Sequence, residues 1–286
     1  MKRVTALQLV TCVLVVLLLV ACGSSAPLPA SPTTAASSTS ATASPAAAPP
    51  PVPTVQAVEP ATGAGRTPVK IAVSGTIAEA PIYVATERGY FAENGISPVF
   101  VSFDSAARAV PALSTGQIDV ASGSLSSGLF NAVDRGVGIK LVAAQSVNST
   151  CAHSSSWLLV RKDLADSGAV RTAADLRGRK IAVSSKAGTL EYVLDTLLRQ
   201  GGLQPTDVEI VEMGFGDMGA AFGGHAIDAA FGAEPTATSY VDKGLATKWL
   251  CGADIIPDMQ ITYIQYSSQF ANQHTDLAQR WMAAYR

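Results

Sequence analysis

The alternation of apolar and polar positions is clearest in residues 176–203. A short apolar run at 179–183 predicts a buried strand, and the small polar residues after it predict a loop. Thr189 then opens a predicted helix, whose apolar positions recur every three or four residues: Leu190, Val193, Leu194, Leu197 and Leu198. The loop hydroxyls and the first helical amides would converge on one spot that suits a small anion. The alternative is that Thr189 only caps the helix.

The same alternation of strand and helix patterns runs from residue 68 to the end of the chain. Helices are predicted at 81–93 and 106–114, a short one at 172–176, and a last helix begins at Thr275. Strands are predicted at 69–73, 99–103, 118–121, 140–145, 157–161, 180–183, 208–213, 227–231, 246–250 and 260–266. Strands that alternate with helices through short loops indicate α/β architecture with mostly parallel sheets. The last helix stops at Arg286 with its apolar stripe half presented, so we expect a truncated chain or a final helix.

A weak internal repeat suggests two similar halves. Residues 110–121 and 219–230 each predict a helix end, a turn and then Ile-Asp before small apolar residues. The match is short, and it supports two similar lobes.

The first 67 residues predict export and a tether rather than a fold. Residues 1–21 have a charged start and an apolar stretch too short to span a membrane comfortably, and are predicted to be a signal peptide. They end in Leu-Val-Ala before Cys22, which resembles a bacterial lipobox and implies a lipid on Cys22. An ordinary secretory signal and an uncleaved anchor are the alternatives. Residues 22–67 are rich in Ala, Pro, Ser and Thr, and are predicted to be a disordered tether.

Composition excludes several classes of function. The net charge of −2 gives no basic face for nucleic acid, and three His and four Cys leave little material for a metal site. Nucleophile-elbow, zinc-helix and phosphate-loop spacings are not found in the sequence. We therefore expect neither a catalytic centre nor a metal or cofactor. Cys151 and Cys251 either form a disulfide, as an exported protein permits, or remain two buried thiols.

The remaining candidate chemistry lies in loops that follow the predicted parallel strands, where open α/β sheets bind ligands. These loops offer neutral donors, a few carboxylates and one aromatic ring: Ser74, Thr76, Asp104, Ser122, Ser124, Gln145, Ser184, Ser185, Thr189, Phe215, Asp217 and Glu234. Such a set suits a small polar solute with an anionic end, and does not suit covalent catalysis.

Several short motifs resemble one family. They are APIYVA at 80–85, GYF at 89–91, GQID at 116–119, ADLRGRKIAV at 174–183 and EP at 234–235. They resemble the nitrate/sulfonate/taurine family of ABC-transporter substrate-binding lipoproteins, and a branch concerned with thiamine-pyrimidine precursors shares the fold. The resemblance implies a two-lobed type II periplasmic-binding fold, each lobe a mostly parallel sheet flanked by helices.

The resemblance also implies a division of the chain. Lobe one would be 69–155 plus about 258–286, and lobe two 156–257. Two hinge strands would cross between them near 156–161 and 260–266.

The resemblance carries the following site residues: Thr76, Ser122, Gly123, Ser124 and Gln145 from lobe one, and Ser184, Gly188, Thr189, Phe215 and Glu234 from lobe two. Thr189 and its neighbours would bind the anionic group of the solute. Phe215 would cover an apolar face, or pack in the core. Glu234 would accept from a ligand amine or ring N–H, or it would have no ligand and be a surface carboxylate or part of a salt bridge within lobe two.

The predicted function is that of an extracytoplasmic solute-binding lipoprotein of an ABC importer, and not an enzyme. It would be a monomer anchored by lipid to the outer face of the cytoplasmic membrane, and would pass a sulfonate, nitrate or similar solute to a membrane permease. The alternatives are an enzyme of pyrimidine-precursor synthesis on the same fold, and a sensory lipoprotein.

Overall fold

The structure is a computed structural model that describes residues 65–286. The predicted signal peptide, the lipidation site at Cys22 and nearly all of the predicted tether lie outside the described residues. Within the described part, no helix has the length and apolar character needed to cross a membrane.

The first sheet has five strands in the order β2-β1-β3-β10-β4. Their bounds are β1 Thr67–Val73, β2 Ile96–Ser102, β3 Val120–Ser124, β4 Ile139–Asn148 and β10 Met259–Ser267. Strand β1 pairs in parallel with β2 and β3, whereas β10 runs antiparallel to both β3 and β4. Four strands therefore share one direction, and β10 alone opposes it within this sheet.

The second sheet repeats this arrangement with the order β7-β6-β8-β5-β9. Its strands are β5 Ser156–Arg161, β6 Lys180–Val183, β7 Glu209–Glu212, β8 Ala229–Ala233 and β9 Ala246–Cys251. Strand β6 is parallel to β7 and β8, and β5 is antiparallel to β8 and β9. The predicted α/β architecture of two mostly parallel sheets is thus confirmed. We call the first sheet with its helices lobe one, and the second with its helices lobe two.

The hinge expectation needs a correction of position. Strands β5 and β10, predicted as the crossing strands, each lie inside one sheet between two neighbours. The chain passes between the sheets in two short links just before them, at 149–155 and 252–258. Hydrophobicity marked the strands, but the pairing partners that place them inside a sheet are distant in sequence.

Eleven helices are found in the described residues. Their bounds are α1 Ala80–Glu87, α2 Tyr90–Glu93, α3 Ala106–Ser114, α4 Ser127–Asp134, α5 Lys162–Asp166, α6 Thr189–Gln200, α7 Met218–Gly223, α8 Thr236–Asp242, α9 Gly252–Ile255, α10 Ser268–Gln273 and α11 Thr275–Tyr285. Helix α6 buries the apolar positions predicted for it against the second sheet. On lobe one, Trp281 of α11 is fully buried and packs on Phe91 of α2, with ring centroids 5.4 Å apart.

Several element boundaries differ from the sequence prediction. The helix predicted at 81–93 is two helices, because Gly89 adopts a left-handed conformation (φ 80°) between them. The strand predicted at 118–121 is β3, which extends to Ser124, so that Ser122 to Ser124 lie on a strand rather than in a loop. The short helix predicted at 172–176 is a 3-10 turn, Ala173–Leu176.

A disulfide joins the first link to the end of β9, next to the second link. Cys151 begins a 3-10 turn in the first link, and Cys251 is the last residue of β9, immediately before the second link. Their sulfur atoms are bonded and their Cα atoms lie 5.5 Å apart. Of the two alternatives that the sequence left open, the structure has the disulfide.

Candidate functional site

A cavity lies between the lobes, where the parallel strands of both sheets end. Lobe one contributes residues after β1 and β3, and lobe two contributes residues after β6 and at the end of β8. The space open to the centre of a water-sized sphere is about 50 Å³. One water needs roughly 10–15 Å³ of such space, so the cavity can hold a few waters or a solute of a few non-hydrogen atoms.

Hydroxyl side chains dominate the cavity wall. The lining residues are Ser74, Thr76, Ala78, Ser105, Ala106, Ala107, Ser122, Gly123, Ser124, Ser126, Ser155, Ser156, Ser184, Ser185, Leu190, Phe215, Ala233, Ile261 and Thr262. Within the described part of the chain, this wall contains no Asp, Glu, Lys, Arg or His. A solute would therefore be bound by hydrogen bonds and helix termini rather than by ion pairs.

The loop after β1 is closed on a carboxylate of its own chain. Glu79 is fully buried, and its carboxylate accepts hydrogen bonds from the amides of Ser74 (2.6 Å), Gly75 (2.9 Å) and Thr76 (3.1 Å). Burial raises the pKa of Glu79, and these hydrogen bonds act in the opposite direction. The loop amides that could have bound an anion are thus already occupied.

Helix α3 begins close to the sheet because position 123 is glycine. A Cβ atom on Gly123 would lie 2.1 Å from the Cβ of Ala106, the first residue of α3. Any larger residue would push the start of the helix away from β3. Gly123 therefore positions the N-terminus of α3 at the cavity wall.

The two lobes contact each other on both sides of the cavity. The amide of Thr189 (3.2 Å) and its hydroxyl (3.2 Å) both donate to the carbonyl oxygen of Leu125 in lobe one. Nearby, the amide of Ser127 donates to the carbonyl oxygen of Ala187. On another side, the amide of Ile77 donates to the carbonyl oxygen of Glu234 (2.8 Å).

Six of the ten predicted ligand-binding residues line the cavity: Thr76, Ser122, Gly123, Ser124, Ser184 and Phe215. The other four, Gln145, Gly188, Thr189 and Glu234, are not among the lining residues. Gly188 and Thr189 lie at the neighbouring contact between the lobes, beside Leu125 and Tyr192. The prediction that these residues bind a solute remains a prediction.

The carboxylate of Glu234 has partners within lobe two. It accepts from Lys248 Nζ (2.5 Å) and from the hydroxyl of Thr238 (2.8 Å), and Lys248 also lies over the ring of Trp157. Partial burial opposes ionisation of Glu234, but hydrogen bonds from Lys248 and Thr238 outweigh it and lower the pKa. Of the roles predicted for Glu234, the salt bridge is the one present in the structure.

Gln145 contacts a residue of the cavity wall, and Phe215 is part of the wall itself. The hydroxyl of Ser122 lies 2.7 Å from Gln145 Oε1, so Gln145 orients a lining side chain. Phe215 lines the cavity and belongs to the core of lobe two, and its carbonyl oxygen accepts from the buried hydroxyl of Tyr240. Phe215 thus packs in the core of lobe two and also lines the cavity, and its contact with an apolar face of a solute stays a prediction.

The sequence prediction did not assign several lining residues to the site. These residues reach the cavity from helix starts, from the first link, from the start of β5 and from strand β10: Ser105, Ser126, Ser155, Ser156 and Thr262. Ser105 and Ser126 each precede a helix, which is the signal that could have identified them. Thr262 had no such signal, because β10 joins the first sheet from the far end of the chain.

One group of candidate metal ligands occurs in the described residues. Cys151, Cys251 and Asp254 place a ligand atom each within 4.8 Å of one another. The two sulfur atoms are bonded to each other, and a disulfide offers no thiolate to a metal. This group therefore does not fit a metal site while the disulfide is intact.

Two mostly parallel sheets with the same strand order, joined by two links and enclosing a cavity at their strand ends, define the periplasmic-binding-protein fold. The chain matches the family model described as NMT1/THI5 like over residues 77–286. It belongs to that family. No curated protein matches the chain.

Solved structures of similar fold include proteins named for binding sulfonates and nitrate. The alkanesulfonate-binding protein SsuA from Xanthomonas axonopodis pv. citri, bound to MOPS, is 20% identical to this chain, with a TM-score of 0.64. The alignment covers 78% of this chain and 73% of the SsuA chain. The periplasmic nitrate-binding protein NrtA from Synechocystis PCC 6803 is 18% identical, with a TM-score of 0.67. The alignment covers 79% of this chain and 61% of the NrtA chain. The periplasmic aliphatic sulphonate binding protein SsuA from Escherichia coli is 20% identical, with a TM-score of 0.58. The alignment covers 76% of this chain and 71% of that SsuA chain. At these identities the likeness establishes the fold.

Proposed function

We propose that this protein is the extracytoplasmic solute-binding component of an ABC importer and binds a small anionic or zwitterionic solute between its lobes. The observation that carries the proposal is the cavity at the strand ends of both sheets, with hydroxyls from each lobe on its wall. Thr76, Ser122 and Ser124 would contact the solute from lobe one, and Ser184 and Phe215 from lobe two.

The solute class follows from the chemistry of the wall and from the relatives. Hydroxyl groups and the starts of helices stabilise an oxyanion without a counter-charge. Two of the similar structures are named for binding sulfonates and one for nitrate. A cavity of about 50 Å³ favours small members of these classes.

A binding function agrees better with this site than an enzymatic one. The cavity wall in the described residues has hydroxyls but no His, Lys or carboxylate that could act as a base on them. The alternative of an enzyme on the same fold would need such a group beside the solute. A sensory protein would use the same cavity to bind its ligand. Genome neighbourhood would distinguish a transport role from a sensory role.

The proposal extends to the location of the protein. A signal peptide at 1–21, a lipid on Cys22 and a tether at 22–67 would attach the binding lobes to the outer face of the cytoplasmic membrane. The lobes would act as a monomer and deliver solute to a permease there. Mass spectrometry of the membrane fraction would test this, since an unmodified Cys22 would contradict it.

The binding function is tested with a thermal-shift screen, followed by calorimetry. The panel is nitrate, small alkanesulfonates, amino acids and pyrimidines, and a solute at a hundred times its Kd raises stability by about 2.7 kcal/mol. Ser184→Phe, which fills the cavity from lobe two, should abolish the shift. Ser167→Phe, an exposed serine far from the cavity wall, should preserve it. A shift that survives Ser184→Phe would contradict binding in the cavity.

A further inference from the structure

We propose that the N-terminus of α3 and the hydroxyl of Ser105 form the subsite for the anionic group of the solute. The inference rests on the proposed binding function and moves the anion from Thr189 in lobe two, where the sequence placed it, to lobe one. Two observations support it. Ser105 has a hydroxyl without a partner, and other helix N-termini near the cavity already bind groups of the protein.

Ser105 holds a buried hydroxyl with no partner among the described residues. The side chain is 3% exposed and lines the cavity, and its Oγ atom has no hydrogen bond. Ser105 is the N-cap of α3, yet its hydroxyl does not accept from the helix amides as an N-cap serine usually does. A buried hydroxyl without a partner costs free energy, which a hydrogen bond to a solute would recover.

The start of α3 lies at the same place. Ala106 and Ala107, the first two residues of the helix, line the cavity beside Ser105. The first amides of a helix have no acceptor within that helix, and the helix dipole adds partial positive charge there. Gly123 allows this end of α3 to lie against β3 at the cavity wall, as described above.

The first turn of α3 contains no acidic residue. The acid nearest in sequence, Asp104, has a side chain that is 66% exposed and lies 3.9 Å from Arg108. Asp104 is not among the lining residues of the cavity. The positive end of α3 is therefore left without a buried counter-charge from its own lobe.

Three other helix starts near the cavity are already occupied by groups of the protein. The loop before α1 binds the carboxylate of Glu79. Helix α6 has Glu191 in its first turn, and this carboxylate accepts from the amide of Ala187 (2.5 Å), while Thr189 is bonded to Leu125. At α4 the hydroxyl of Ser126 accepts from the amide of Leu129 (3.3 Å). Of these four helix starts, that of α3 is the one that combines an unpartnered hydroxyl with amides that no protein group occupies.

The test compares variants of the full chain by calorimetry with four probe anions: nitrate, acetate, methanesulfonate and ethanesulfonate. Ser105→Ala should weaken binding of the anion that binds wild type by about tenfold or more, the effect of losing a hydrogen bond to a charged group. Ser114→Ala, at the exposed far end of the same helix, is the control and should leave the affinity unchanged.

Stability without solute separates a binding role from a structural one. Because the Ser105 hydroxyl is buried and has no partner within the protein, Ser105→Ala should melt at or above the wild-type temperature when no anion is present, and Ser105→Gly should melt only slightly below it. A clear loss of thermal stability in both variants would indicate a structural role and overturn the inference.

The remaining outcomes distinguish this inference from the proposed function. If wild type binds a probe and Ser105→Ala binds it equally well, the subsite is wrong and solute binding stands. If wild type binds none of the four anions, the subsite is also overturned. In that case the wider solute panel, which includes neutral compounds, decides the proposed function separately.

Discussion

Thr189 and Leu125 join the two lobes through one carbonyl oxygen. Both the amide and the hydroxyl of Thr189, at the start of α6 in lobe two, donate to the main-chain oxygen of Leu125, which precedes α4 in lobe one. The contact lies beside the cavity rather than on its wall. It belongs to the arrangement in which the lobes touch, so its free energy should favour solute retention.

Thr189→Val should therefore weaken solute binding without unfolding the protein. Valine keeps the shape and the amide but removes the hydroxyl hydrogen bond, which contributes about 0.5–1.5 kcal/mol. We expect solute affinity to fall roughly two- to tenfold in calorimetry.

The control for this variant is Thr196→Val, about two helical turns after Thr189 in the same helix. The hydroxyl of Thr196 donates to the carbonyl oxygen of Tyr192. The solute affinity of Thr196→Val should equal that of wild type. Equal affinity in Thr189→Val would show that this contact does not contribute to retention.

Gly123→Ala should impair both folding and binding. The new methyl group would lie 2.1 Å from the Cβ of Ala106, so the start of α3 must shift. Overpacking of this kind costs about 1–3 kcal/mol of unfolding free energy. Gly216→Ala is the matched control, because nothing lies within 4 Å of the added methyl group. Denaturant titration of both variants measures the difference, and equal stabilities would rule out close packing at Gly123.

Glu234→Gln should reduce stability in a pH-dependent way. Its pKa is lowered in the folded protein, so the carboxylate stabilises the fold above the ordinary value of 4.5, and this contribution is lost as pH falls through the lowered pKa. We expect the variant to lose about 1–3 kcal/mol at neutral pH, and less below pH 4.5.

Glu209→Gln is the comparison for this experiment, since its ion pair with Lys180 is exposed and should contribute little. Solute affinity of Glu234→Gln, measured beside its stability, tests the other role of this residue. A loss of affinity without loss of stability would favour direct contact with the solute over the salt bridge to Lys248.

Removal of the disulfide should destabilise the protein strongly. The bond closes a loop with a sequence separation of 100 residues, for which the chain-entropy model gives about 4–5 kcal/mol. The double variant Cys151→Ala, Cys251→Ala should show this loss in denaturant titration and should be insensitive to dithiothreitol. Wild type should lose stability on reduction; if it does not, the disulfide contributes little.

The sequence was a good guide to elements that depend on local pattern. The apolar positions of α6 predicted its buried face, since all five are buried in the core of lobe two. The placement of Ser184 after a strand likewise predicted that it would reach the strand-end cavity. Periodicity and loop position are local properties, and both could be read without knowing the fold.

Partners that are distant in sequence could not be predicted in this way. Thr189 bonds to Leu125, which is 64 residues away, and Ser122 bonds to Gln145, 23 residues away. Ser105 precedes the helix predicted at 106–114, but its missing cap hydrogen bond is a matter of side-chain geometry that the sequence does not show. The positions of β5 and β10 inside the sheets also depend on pairing between distant segments.

The most direct test of the account is a crystal structure of the protein grown with the solute that binds most tightly in the panel. The account predicts density for that solute between Ser105 and Ser122 of lobe one and Ser184 of lobe two, with its anionic oxygens at the start of α3. Density at the outer surface of either lobe, with the cavity between the strand ends holding only water, would contradict it.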